Sequence, residues 1–219
     1  MDPFVAKCQN LSKMLRAWGK IHTRHFPWRI TRTPYNVLIA EVMLHRTKAE
    51  QVASIYSEFI QKYPDIRFLA EANSADLIDI LYPLGLHWRI ELMHKMAKEI
   101  VEKYSGIIPI EKEKLLALPG VGEYIASALR CFSLGYPEPL LDTNTVRIIG
   151  RYFGMKISES SRRNKNFRQI YSTLIDRYKP REFNYAMIDL GALICKANDP
   201  LCEKCPISNQ CLFKSYKNS

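Results

Sequence analysis

The 219-residue chain has no run of eighteen apolar residues, which excludes a helix that spans a membrane. Its first residues, MDPFVAKCQNLSKML, hold no apolar stretch followed by a small-residue cleavage site, so no secretory signal is expected. Strand-like alternation with hairpin dipeptides is missing, as are internal repeats and low-complexity tails. What is left is a chain with 47% apolar content, long enough to bury one large core or two small ones. Acid is short: 22 Asp and Glu face 32 Lys and Arg, giving a formal charge of +10. That excess favours a polyanionic partner, nucleic acid first and an acidic membrane surface second, against the plain alternative of a soluble basic protein. Cysteine is scarce over the first 194 residues, where Cys8 and Cys131 alone occur. Both fall in apolar helical patterns and read as buried thiols.

What is present is helical periodicity. Phe4, Cys8, Leu11, Leu15 and Trp18 follow the 4-3-4-3 spacing of one buried helix face. Val52, Ile55, Phe59 and Ile60 repeat it, and so do Met93, Met96, Ile100 and Tyr104. Ser74 precedes a short apolar helix around Leu77, Ile80 and Leu81 and is the expected N-cap. Breakers fall at Pro27, Pro34, Pro83–Gly85, Gly106–Pro109, Pro119–Gly122, Pro137–Pro139 and Pro180. The polar, basic stretch 158–165 reads as a surface loop. The fold class is all-α.

The remaining cysteines crowd into the last twenty-five residues as Cys195, Cys202, Cys205 and Cys211, spaced C-x6-C-x2-C-x5-C. The segment has little core of its own, so ligation would have to supply its order. Four thiolates suit a [4Fe–4S] cluster or a tetrahedral zinc, with disulfides a third reading. Zinc usually takes two C-x2-C pairs, and only Cys202 and Cys205 make one. A metal-ligating quartet beside two buried thiols places the protein in a reducing, intracellular compartment.

The segment Leu118-Pro119-Gly120-Val121-Gly122 joins an apolar helix over 112–117 to another over 123–134. Two glycines flanking one apolar residue allow positive φ and a tight turn. Their amides, with the free N–H groups opening the second helix, can converge on a phosphate oxygen, which fixes register on nucleic acid without reading sequence. A plain helix–helix turn accounts for one glycine but poorly for the pair. Twenty residues after Gly122 stands Asp142, at the entry to a helix with Val146, Ile149 and Phe153 on one face. It reads either as an N-cap or as a carboxylate at the mouth of a groove beside the hairpin.

Assembled, these residues resemble the helix–hairpin–helix superfamily of DNA glycosylases in its iron–sulfur branch. LPGVG (118–122), the acid of LDTNTVRI (Asp142) and the terminal cysteine pattern match in order. FPWR (26–29), TPYNVLIAEVMLHRT (33–47) and FNYAMIDLGALIC (183–195) match further out. The resemblance implies two helical domains flanking a DNA-binding cleft: a six-helix domain over 26–137 with the hairpin, and a domain from 1–25 and 138–219 with the cluster loop 195–211. It implies a [4Fe–4S] cluster on the four cysteines, a monomer, and double-stranded DNA with a mispaired or damaged base as partner. It makes the protein a hydrolase of base excision repair, in the cytoplasm or nucleoid.

The same resemblance sorts subfamilies. Endonuclease III-like members carry a lysine two residues after the second hairpin glycine, which forms a Schiff base with the sugar. Here Tyr124 stands there and has no amine, so a monofunctional enzyme using water is expected. Phe26-Pro27-Trp28 and Glu41-Val42-Met43-Leu44 resemble adenine glycosylases of MutY type and archaeal-type thymine–DNA mismatch glycosylases. The chain stops eight residues after Cys211, so the further domain with which MutY-type enzymes inspect 8-oxoguanine is expected to be absent. Tyr124 and Arg46 agree with the thymine type, where MutY tends to Ser and Gln. Tyr185 departs from both, at a place where leucine would suit thymine and glutamine adenine.

On this likeness Asp142 stabilises an oxocarbenium-like sugar and directs water. Glu41, a carboxyl in apolar company that raises its pKa, sits in the base pocket, and Tyr124 stacks on the base. Tyr185 and Ala49 border that pocket. Arg46, with Leu86 or His87, fills the gap left in the base stack, and Leu118, Gly120, Val121 and Gly122 hold the backbone. The substrate is thymine or uracil opposite guanine. The alternatives are adenine and, in another class, a non-catalytic module that binds damaged DNA.

Overall fold

The computed structural model describes residues 2–85 and 88–217. Among them every regular element is a helix and none is a strand. The all-α expectation holds. Among the described residues no helix is long and apolar enough to cross a membrane. The chain divides into two compact units, one made of 1–24 and 135–219, the other of 25–134.

The first unit is built on the Pro3–His22 helix, whose buried face is Cys8, Leu11, Leu15 and Trp18. Phe4, in rhythm with that face, is 39% exposed and packs on the ring of Phe153 at 5.5 Å. The helix lies along Pro180–Leu193. At Gly19 the backbones approach so closely that an added Cβ would meet Ala186 Cβ at 2.7 Å. Asp189, fully buried on the second helix, accepts from the Arg24 backbone N–H (2.9 Å) and Nε (2.7 Å), which ties down the exit from the first. Tyr152, Phe167, Tyr171 and Phe183 fill the core between the Thr143–Phe153, Lys165–Leu174 and Pro180–Leu193 helices. The 158–165 stretch is more ordered than its polarity suggested. Ser158 and Ser161 close a capping box on a 3-10 turn, Glu159–Arg163, and Ser161 is buried.

The second unit surrounds the Pro34–Leu44 helix, buried at every position from Tyr35 to Met43. Thr33 caps it by accepting from Asn36 N at 3.1 Å, and Pro34 occupies the first turn, where its missing N–H costs nothing. A helix buried all round has no solvent face, so it becomes the axis about which others pack. The Ala49–Lys62 and Glu123–Leu134 helices lie against it. Trp28 stacks on Phe26 at 4.8 Å and sets its edge on Tyr56 at 5.3 Å. Eight α-helices occur here among the described residues; Lys112–Leu116 matches the helix expected over 112–117, while Pro27–Ile30 and Ile66–Ala70 are too short for periodicity to reveal. One cap differs from expectation: Asn73 accepts from Ala75 N at 2.8 Å, and Ser74 becomes the first helical residue. Both residues favour caps, and only the fold decides between neighbours.

Candidate functional site

In the second unit the hairpin runs from Lys112–Leu116 through Leu118–Gly122 into Glu123–Leu134. Leu118 and Val121 are buried and anchor the turn, which closes through Val121 N donating to Leu118 O at 3.2 Å. The two glycines do different work. Gly120 has φ +76°, and an added Cβ would stand 3.3 Å from Leu92 Cβ, so it is needed by the backbone itself. Gly122 lies outside the left-handed region, and a Cβ there would meet no protein atom within 4 Å. The expectation that both glycines serve positive φ is corrected: one shapes the turn, the other leaves its surface bare. Exposed backbone at the start of a helix of 12 residues can bind an anion.

Glu41 lies on the buried Pro34–Leu44 helix and is 6% exposed. Tyr124, half-buried, is the second residue of the Glu123–Leu134 helix that packs against it. Arg46 is exposed just past the end of the Glu41 helix, with φ +61°. Ala49, half-buried, opens the Ala49–Lys62 helix. Leu86 and His87 lie outside the described residues.

Asp142 belongs to the first unit. It is the N-cap of Thr143–Phe153, so that part of its reading is correct as geometry. Its Oδ1 accepts from Thr145 N at 2.7 Å, and its own N–H donates to Thr145 Oγ1 at 3.0 Å. Oδ2 accepts from Asn144 Nδ2 at 3.1 Å. Asn144 Oδ1 in turn accepts from Arg147 Nη2 at 2.7 Å, and Arg147 Nε donates to Cys195 O at 2.7 Å. The carboxylate is therefore fixed at both oxygens, each of which keeps acceptor capacity for a further donor. Burial raises its pKa above the ordinary value of 3.8, and the hydrogen bonds from Thr145 and Asn144 and the charge of Arg147 oppose that rise. Although the residue keeps some exposed surface, its carboxyl is the part folded inward against these neighbours.

The cysteines of the same unit line one pocket: Cys195, Cys202, Cys205 and Cys211, walled by Ile148, Ile194, Leu201 and Ile207. All six cysteines are free thiols, so the disulfide reading fails. Among the described residues no three His, Cys, Asp or Glu side chains are drawn together for one metal ion. Arg151 Nη1 donates to Cys195 Sγ at 3.4 Å. Burial, then repulsion among the neighbouring thiols, pushes Cys205 up to about 11, while the Ile207 N–H opposes it. A pocket that gathers four sulfurs against an apolar wall with N–H donors fits an iron–sulfur cluster. Tyr185, on the Pro180–Leu193 helix, is 7% exposed.

Residues 39–177 match the model of a family described as HhH-GPD superfamily base excision DNA repair protein. The chain belongs to that superfamily. It is 38% identical over 219 residues to a thymine-DNA glycosylase of Aeropyrum pernix, covering 97% of this chain and 96% of the relative. A thymine/uracil-DNA glycosylase of Pyrobaculum aerophilum is 37% identical over 208 residues, covering 92% and 88%. The solved structure of a thermostable thymine-DNA glycosylase superposes with a TM-score of 0.91 at 32% identity, over 96% of this chain and 98% of that one. This HhH-GPD chain is thus a DNA glycosylase, with the helix–hairpin–helix fold expected of it. Reading by sequence passed over Asn144 and Arg147, which follow Asp142 within its first turns and a half of helix. Asn144 bonds its near neighbours Asp142 and Arg147, whereas Arg147 is held by carbonyls 44 and 48 residues away.

Proposed function

We propose that this glycosylase hydrolyses the bond between deoxyribose and a thymine, or uracil, mispaired with guanine in double-stranded DNA, with water as nucleophile. The observation that carries this reading is Asp142, a carboxylate held at both oxygens by Thr145 and Asn144. A fixed carboxylate stabilises the positive charge that develops on the sugar as the base departs, and orients or deprotonates the attacking water. One such preorganised group contributes about 3–4 kcal/mol. Likeness over nearly the full chain to thymine- and thymine/uracil-DNA glycosylases supports the substrate.

The remaining roles are those that likeness to the superfamily gives these residues. The target nucleotide leaves the helix at a cost of roughly a few kcal/mol, which a mispair lowers. The amides around Gly120 and Gly122 take a phosphate, and the basic surface adds its charge. Arg46 fills the vacated place in the stack, with Leu86 or His87 as its counterpart. Glu41 offers its carboxyl to the Watson–Crick edge of the base, Tyr124 stacks on its face, and Tyr185 and Ala49 border the pocket. Tyr124 has no amine, so no Schiff base forms there and strand cleavage is not part of the cycle.

The four cysteines hold a [4Fe–4S] cluster, which supplies order and electrostatics to the loop and no electrons, since hydrolysis transfers none. The pocket that the four cysteines share supports one common centre on them. The protein works where cellular DNA lies, in the cytoplasm or nucleoid.

Duplexes bearing T·G, U·G, A·G and A·8-oxoG, treated with alkali after incubation, separate the readings. Release of thymine and uracil, with no adduct trapped by borohydride, is expected. Excision of adenine alone overturns the substrate, and a trapped adduct overturns the monofunctional mechanism.

A further inference from the structure

Arg89, on the Trp88–Tyr104 helix, is a charge buried to 6% exposure, and no acidic side chain among the described residues pairs with it. Its guanidinium is spent on backbone. Nη1 donates to Val42 O (3.1 Å), Met43 O (2.7 Å) and His45 O (2.6 Å), at the C-terminal end of the Glu41 helix. Nη2 donates to Thr47 Oγ1 (2.9 Å), Leu84 O (3.2 Å) and Gly85 O (3.4 Å). Burying a cation without a counter-ion is costly, and the negative end of a helix dipole offsets that cost only in part. One side chain thus joins two separate turns, 42–47 and 84–85, and does nothing else.

The acceptors bracket Arg46. His45 and Thr47 are its immediate neighbours, and Arg46 itself has φ +61°, in the left-handed region that a side chain with Cβ disfavours. Such a conformation persists only where the surroundings over-determine it. Thr47 N closes the turn by donating to Leu44 O at 3.2 Å, Thr47 Oγ1 donates to Leu84 O at 3.4 Å, and the bonds from Arg89 on either side of Arg46 fix the closed turn to its neighbours. The edge-on contact of His45 and Trp88, 5.9 Å between centroids, is a second tie between the same segments.

We propose that Arg89 is a positioning residue for nucleotide extrusion, holding the Arg46 turn in its left-handed form so that Arg46 meets the gap in the base stack. This rests on the role given to Arg46 above. Without the clamp, the turn relaxes to ordinary φ and the Arg46 side chain leaves its direction.

Extrusion is read as the fluorescence of 2-aminopurine placed beside a T·G mispair, with single-turnover base release on the same duplex and a thermal melt of each variant. Arg89→Lys keeps the charge but cannot fork between two turns, and Thr47→Val removes one bracketing acceptor with Arg89 intact. Both are expected to lower extrusion, Arg89→Lys on the order of tenfold, which is the scale set by releasing one strained non-glycine residue. Arg46→Gly should lower extrusion too, and Arg89→Lys added to it should bring no further loss. If Arg46→Gly lowers extrusion while Arg89→Lys and Thr47→Val do not, the clamp is wrong and the wedge stands. If Arg46→Gly changes nothing, the wedge itself is wrong, and the clamp with it. Full additivity in the double variant marks Arg89 as a general structural residue and also overturns the proposal. Should Arg89→Lys fail to melt cooperatively, Thr47→Val decides by the same readings.

Discussion

Replacing Asp142 by asparagine and by alanine separates its two duties. As N-cap, Asp142 satisfies Thr145 N at 2.7 Å through Oδ1. Asparagine caps as well as aspartate, whereas alanine forfeits the bond and costs about 0.5–2 kcal/mol. In a chain of this size that is a fall in Tm of roughly 2–4 °C for each kcal/mol. Asp142→Asn turns Oδ2 into an amide facing the Asn144 amide, losing the 3.1 Å bond, a net of about 0.5–1.5 kcal/mol. It also removes a charge that burial disfavours, which acts in the opposite direction. Asp142→Asn should therefore melt close to the parent and Asp142→Ala below it. Base release tells the other half: both variants lose the carboxylate, and single-turnover rates on a T·G duplex should fall by about 10²–10³ in each. DNA affinity, measured with a non-cleavable duplex, should persist. An asparagine variant that releases thymine at the parent rate refutes the catalytic role, and one that melts as low as alanine refutes the capping account.

Five further outcomes follow from the geometry. Burial holds the Asp142 proton above the ordinary 3.8, so base release should rise with pH through a midpoint above that value; a midpoint at or below it contradicts the buried carboxyl. The folded state binds that proton more tightly than the unfolded chain, so the contribution of Asp142 to stability falls as pH rises through the same window, and melts of parent against Asp142→Asn should converge toward its acid end. The purified protein should contain iron and sulfide, and Cys205→Ser should lose both and open the 195–211 loop to protease; a colourless, zinc-loaded protein refutes the cluster. Gly120→Ala should cost about 1 kcal/mol or more, since its φ is +76° and Leu92 lies at 3.3 Å. Gly122→Ala should leave Tm unchanged but weaken DNA binding, because its methyl would meet only the incoming phosphate; unchanged affinity removes Gly122 from the grip.

Local rules carried the helices far. The buried face of Pro3–His22 and the bounds of Glu123–Leu134 follow from apolar spacing and from the glycines that break the chain before the second helix. They failed where two neighbours obey the same rule. Asn73 and Ser74 can each cap, and Gly120 and Gly122 can each take positive φ; packing against the rest of the unit chose one of each pair. Arg89 was invisible because its partners between Val42 and Thr47 lie more than forty residues away in sequence, and all its partners but Thr47 are backbone carbonyls, which every residue type carries alike.

Composition and short-range pattern by themselves determined that this protein is helical and basic, carries a glycine hairpin, and ends in four cysteines suited to a metal. Propensity, periodicity and ligand spacing act over a few residues and are written in the order of the letters. Only the tertiary structure decided that the Asp142 carboxyl is buried and held at both oxygens, that the cysteines face one pocket, and that a lone guanidinium locks the Arg46 turn. Desolvation and hydrogen bonding sum over whatever the folded chain brings near, and no stretch of sequence contains that sum.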